Sequence, residues 1–170
     1  QNLLADERDW VMALDPADLA GLPGFVVAAA RAAAEERGMD GHALTLNRSV
    51  VVPFLQFSPR RDLREKAYGA WVARGAGGGA TDNRAIAAEI LKLRAERARL
   101  LGYESFAAFK LEPEMAKTPA HVRDLLMRVW EPARAKALAD AAVLTGMMHR
   151  DGINGDLEPW DWRYYSERRR

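Results

Sequence analysis

The chain has 170 residues, 49% of them hydrophobic and 29% charged, with 25 Lys and Arg against 24 Asp and Glu. That is long enough for one domain with a sizeable core, and a net charge of +1 is too balanced for a protein built to grip nucleic acid or an anionic membrane. There is no Cys, which excludes disulfides, thiolate metal sites and a Cys nucleophile.

Read in chain order, Ala-rich periodic segments separated by Gly and Pro predict a mainly α protein. Asn2 to Leu14 reads as a short helix, broken by Asp15-Pro16 and by Gly21-Leu22-Pro23-Gly24. Phe25 to Arg37 is strongly helical, with Gly38 placed to end it. Ala43 to Val52 is the one stretch that reads as strand. Leu44 and Leu46 alternate with polar residues there, Val50-Val51-Val52 is β-branched, and Pro53 points to a short edge strand or hairpin.

Ser58-Pro59 supplies a cap and a proline for a helix from Arg60 to Arg74. Thr81 or Asp82 opens the next helix, which runs to Leu101 with Gly102 behind it, and a short helix spans Ser105 to Leu111. Thr118-Pro119 starts the longest helix, carrying Val122, Leu125, Leu126, Val129, Leu144 and Met148 at helical spacing, with a kink expected at Pro132. Pro159 begins a last helix.

Most motif matches have ordinary explanations. His42, His121 and His149 are dispersed, and none belongs to a His-Glu-x-x-His helix, so no metal ligand is expected among them. Gly75 to Ala80 matches the dinucleotide fingerprint literally. It follows a helix rather than the strand the fingerprint needs, so an interhelix connection is expected. Asn47-Arg48-Ser49 is a formal glycosylation acceptor without a secretory signal. Glu35-Glu36 and Glu112 with Glu114 are carboxylate pairs by proximity only, and no Ser sits in a glycine elbow. No catalytic residue is therefore expected in this chain. The dense run Trp160-Asp161-Trp162-Arg163-Tyr164-Tyr165 is different. Aromatics packed this closely anchor a core or line a ligand surface. Trp160, Asp161, Trp162, Tyr164 and Tyr165 are the candidate ligand-surface or interdomain contacts, with packing against a further domain preferred over direct ligand contact.

Several low-frequency motifs occur in order: Phe54-Leu55-Gln56-Phe57-Ser58, Arg60-Arg61-Asp62-Leu63-Arg64-Glu65, Trp71 with Arg74-Gly75, and Asp82-Asn83-Arg84. Leu93 to Ala98, Leu100-Leu101-Gly102-Tyr103, Met115-Ala116-Lys117-Thr118 and Pro159 to Tyr165 continue the succession. It resembles the thimet oligopeptidase family of zinc metallopeptidases, and most closely the bacterial peptidyl-dipeptidase and oligopeptidase A branch. The resemblance implies a two-lobed helical peptidase whose deep channel admits short peptides. In that family, zinc is held by a His-Glu-x-x-His helix and a downstream Glu.

None of those functional residues maps onto a position here. The chain is thus expected to be a non-catalytic N-terminal portion of such an enzyme, forming part of the channel wall and binding no zinc itself. Residues 1–150 would be a helical non-catalytic region, and 151–170 a loop and the start of the helix leading to the catalytic region. The chain opens on Gln1 without Met and closes on Arg168-Arg169-Arg170 inside a predicted helix, so both ends are expected to be cut points. The expected partners are short peptides for the parent and the missing catalytic half, with no nucleic acid and no membrane. Exposed apolar surface is expected to promote self-association. The expected location is cytoplasmic, although the composition fits the periplasm too. The rival reading is a stand-alone helical interaction module. Nucleotide binding at Gly75 to Gly79 is a third, poorer one.

Overall fold

The computed structural model describes residues 1–170. It has eight α-helices and one two-stranded antiparallel sheet, the mainly α architecture expected. The chain divides into two compact units. One comprises residues 1–82 and 141–170, the other residues 83–140.

In the first unit, α1 (Asn2–Asp9) leads into β1 (Val11–Leu14), which pairs antiparallel with β2 (His42–Thr45) in the register Val11↔Thr45 to Leu14↔His42. The sequence reading extended the first helix to Leu14. The structure turns extended at Trp10, because β2 supplies the backbone partners and Leu14 drops into the core. Between the strands lies α2 (Gly24–Glu35), with Val26, Ala30, Ala33 and Ala34 buried.

The expected strand at 43–52 ends at Thr45, and Val50 to Val52 lie in α3 (Arg48–Phe57). Two causes override their β propensity. Asn47 caps the helix, its Oδ1 accepting from Ser49 N–H at 3.0 Å and from Ser49 Oγ at 2.7 Å. Val50, Val51, Phe54 and Leu55 then form one buried stripe at helical spacing. The apparent glycosylation sequence is thus a helix cap.

α4 (Arg61–Ala73) packs beside α3, burying Leu63 and Ala67. Leu14, Ala30, Leu44, Val51, Phe54 and Leu55 complete the main core, with Trp10, Tyr68 and Trp71 at its margin. Burying a side chain such as Phe54 or Leu55 contributes about 1.5–3 kcal/mol of transfer free energy. The last helix, α8 (Pro159–Arg168), lies against α3 and α4.

The second unit holds α5 (Arg84–Leu100), α6 (Phe106–Leu111) and the first two thirds of α7 (Pro119–Arg150). Gly102, at φ 82°, ends α5 with the paired bonds Tyr103 N–H to Ala98 O (2.9 Å) and Gly102 N–H to Arg99 O (3.0 Å). Ser105 caps α6 through Ala108 N–H. The guanidinium groups of Arg94 and Arg97 lie over the rings of Phe106 and Phe109 at 5.1 and 5.2 Å, joining α5 to α6. Ala98 is the only buried residue of this unit. α7 runs unbroken through Pro132, and its end belongs to the first unit. There Leu144 and Met148 form a second, small core with Tyr165.

Candidate functional site

The aromatic run lies on α8, whose start is set by Pro159 in the first turn and by Glu158 N–H donating to Asp161 Oδ2 at 3.2 Å. Asp161 is fully buried, and burying a lone carboxylate is prohibitive unless it is paired. Two arginines of α4 pair it. Arg61 Nε donates to Oδ1 at 3.0 Å and Arg61 Nη2 to Oδ2 at 2.8 Å. Arg64 Nη2 reaches Oδ1 at 2.8 Å.

Arg64 is itself 1% exposed. Its other N–H groups donate to Ser58 O at 2.7 Å and to Trp160 O at 3.1 Å, and its guanidinium stands 4.2 Å from the Tyr164 ring centroid. Arg61 stands 5.8 Å from the Trp160 ring. Each of the three nitrogens of the buried guanidinium therefore donates to an acceptor, as a buried ion cluster requires.

At the other end of α8, Tyr165 OH donates to Asp151 Oδ2 at 3.2 Å. Burial, reinforced by the negative charge of Asp151, pushes the Tyr165 phenol up to about 12. Arg168 also donates to Asp151, and that hydrogen bond holds the Asp151 carboxyl below the usual carboxylate range. The Arg168 guanidinium lies 5.4 and 5.5 Å from the rings of Tyr164 and Tyr165.

The five candidate residues thus divide. Asp161 and Tyr165 are buried, Trp160 and Tyr164 are half-buried against arginines, and Trp162 is 37% exposed. Trp162 joins Tyr68, Trp71, Leu157 and Pro159 around a cavity of about 640 Å³ between α4 and the start of α8. Sequence reasoning did not single out Arg61 and Arg64 as partners of Asp161. The available signal was Arg64 falling with Ala67 and Trp71 on the inward stripe of α4, where a charge demands a counter-charge.

The remaining motifs have local partners. His121 Nδ1 lies 2.9 Å from Ala116 O, and His149 Nε2 lies 3.0 Å from Gly155 O. His42 opens β2. The glycine run follows α4, and its N–H groups serve the chain's own carboxylates: Gly75 N–H donates to Asp6 at 2.6 Å and Gly78 N–H to Asp82 at 3.1 Å. The Gly75 bond is the main reason Asp6 titrates below the usual carboxylate range. Glu35 accepts from Arg31 at 2.9 Å and Glu112 from the Tyr103 hydroxyl. No group of three His, Asp or Glu side chains lies close enough together to hold a metal ion jointly.

A family model for peptidase family M3 matches residues 54–170, from the second half of α3 through α8. The chain belongs to peptidase family M3. Oligopeptidase A of Escherichia coli (strain K12) is 35% identical over 174 residues, covering 99% of this chain and 26% of that protein. Dipeptidyl carboxypeptidase of the same organism is 32% identical, covering 98% of this chain and 25% of its own length. Organellar oligopeptidase A of Arabidopsis thaliana is 31% identical, over 100% of this chain and 22% of that protein. The chain therefore spans about a quarter of the length of these family M3 relatives.

Proposed function

We propose that this chain is a non-catalytic portion of a zinc-dependent peptidase that hydrolyses short peptides, as a peptidyl-dipeptidase or an oligopeptidase. It forms part of the wall of the substrate channel. The observation that carries this reading is the family match through residues 54–170, joined by relatives whose names denote an oligopeptidase and a dipeptidyl carboxypeptidase.

The chain's own residues contribute position rather than bond cleavage. The Arg61–Asp161–Arg64 cluster fixes α8 on α4, and with it the presentation of Trp162 and Arg163. A rigid wall is what a channel needs if it is to exclude folded chains and orient extended ones. Zinc would be held by residues outside this segment, and the location is proposed to be cytoplasmic.

Two measurements test the reading. The isolated chain is expected to give no zinc-dependent turnover of an internally quenched short peptide, and turnover by the pure chain overturns its non-catalytic role. The reading frame beyond Arg170 is expected to encode His-Glu-x-x-His. A frame without it overturns the peptidase assignment.

One observation favours a second reading, a helical interaction module. Leu125, Leu126, Val129 and Trp130 of α7 are each more than half exposed, an apolar surface of the kind that seats a partner helix. A stable complex formed by a chain whose gene stops at Arg170 would favour this reading.

A further inference from the structure

The glycine run that follows α4 is tied at both ends to one side chain and is open to solvent in between. Gly75 is buried, and its N–H donates to Asp6 Oδ2 at 2.6 Å. A buried amide needs such a partner. Thr81, at the far end of the run, hydrogen-bonds through its side chain to the same carboxylate. Residues 76–80, between the two ties, are exposed. A further tie lies beside the first, where Arg74 Nη1 donates to Glu7 Oε2 at 2.7 Å. Both carboxylates belong to α1, which has no buried residue. Little apolar area holds α1 down, so its polar ties to the run carry much of its attachment.

The glycines serve backbone freedom rather than close packing. Gly78 and Gly79 stand at φ 86° and 78°, where a side chain would be strained. Gly77 lies outside that region, and a Cβ there would meet only Ala73 O at 3.9 Å, an ordinary contact. Neither handedness nor space demands a glycine at that position, and what it adds is chain freedom. The same run forms one wall of a cavity of about 390 Å³, whose other walls include Trp10, Leu46, Ala70 and Ala73. Residue 82 closes the first unit and α5 begins at Arg84, so slack in the run passes directly to the chain that precedes α5.

We propose that residues 75–82 form a hinged strap, latched by Asp6 and Glu7 of α1, that opens while the core of the first unit stays folded. Latched, the strap closes one side of the cavity and fixes the chain just before α5. Unlatched, it uncovers Trp10 and Leu46 and adds free chain ahead of α5. α1 is the handle, and displacing it releases the strap. The device stands apart from the peptidase reading, which it neither needs nor supports.

The test is amide hydrogen exchange of the 15N-labelled 170-residue chain, read residue by residue by NMR. In the unaltered chain Gly75 should exchange well ahead of Leu55, which lies on α3 in the core. Asp6→Ala removes the carboxylate that serves both ends of the strap and suits the α1 helix. It should speed exchange at Gly75 by about tenfold or more and leave Leu55 unchanged. Gly77→Ala should slow exchange at Gly75 by about two- to fivefold, because a stiffer strap gains less freedom on release.

The proposal is overturned if Gly75 and Leu55 exchange together in the unaltered chain, since the strap would then open only with the core. It is equally overturned if Asp6→Ala leaves Gly75 unchanged or speeds both residues by one factor, or if Gly77→Ala leaves Gly75 unchanged. None of these results bears on hydrolysis, which is decided by turnover and by the downstream frame.

Discussion

The two units are built from equally regular helices, yet they treat their apolar residues in opposite ways. The unit of residues 1–82 and 141–170 buries Val26, Leu44, Val51, Phe54, Leu144 and Met148 to 2% exposure or less. In residues 83–140 only Ala98 is buried, while Ile86, Leu93, Leu126 and Trp130 are all more than half exposed. α7 makes the contrast inside one element: Leu126 is 60% exposed and Leu144, eighteen positions on in the same helix, is 1% exposed. Helical periodicity tells which face is apolar, not whether anything covers it.

The contrast can be broken most forcefully at the ion cluster of the packed unit. Asp161→Ala leaves two arginines, one of them fully buried, without their counter-charge. It should cost about 3–5 kcal/mol in a urea melt followed by tryptophan fluorescence. A loss under about 1 kcal/mol would mean that the cluster is hydrated. Next in size, Leu144→Ala should cost about 2–5 kcal/mol, whereas Leu126→Ala should stay within about 0.5 kcal/mol. Equal costs at the two positions would show that the second unit is covered in solution, for instance by self-association. Sedimentation of Trp130→Ser tests this directly: a self-associating chain should shift toward monomer, with little change in folding stability.

The smallest effects come from pH. The Tyr165 phenol is raised when folded, so its contribution is full below the ordinary tyrosine value near 10. That contribution is lost as pH climbs toward about 12. Tyr165→Phe should flatten this alkaline limb of the melting temperature. The Asp151 carboxyl is lowered when folded, so its contribution is present above the ordinary aspartate range and disappears as pH falls through its depressed value. Asp151→Asn should blunt the acid limb.

Proline marked helix starts at α7, which begins at Pro119 with Thr118 Oγ1 accepting from His121 N–H at 3.3 Å, and at α8, which begins at Pro159, whereas α4 starts at Arg61 with Arg60 rather than Ser58 in the cap position. Glycine at position 102 marked the end of α5. Elements decided by distant partners were not legible in the chain. Val11–Leu14 becomes a strand only because His42–Thr45 lies beside it, and Val50 to Val52 become helical because the core claims Val50 and Val51. At the candidate site, the density of aromatics was visible from sequence. That Asp161 ties down the structure through Arg61 and Arg64, while Trp162 opens onto a cavity, depends on which way α8 faces α4.

The ion cluster also has a consequence for the order of events during synthesis. Arg61 and Asp161 are separated by 100 residues, and α8 packs on α3 and α4 across the whole intervening excursion. At about 5–20 residues per second, a ribosome needs roughly 5–20 s to make that intervening stretch. Throughout that interval the nascent chain presents Arg64 without its carboxylate and the flank of α4 without its cover. The first unit is therefore completed only from its far end, once α8 has been made.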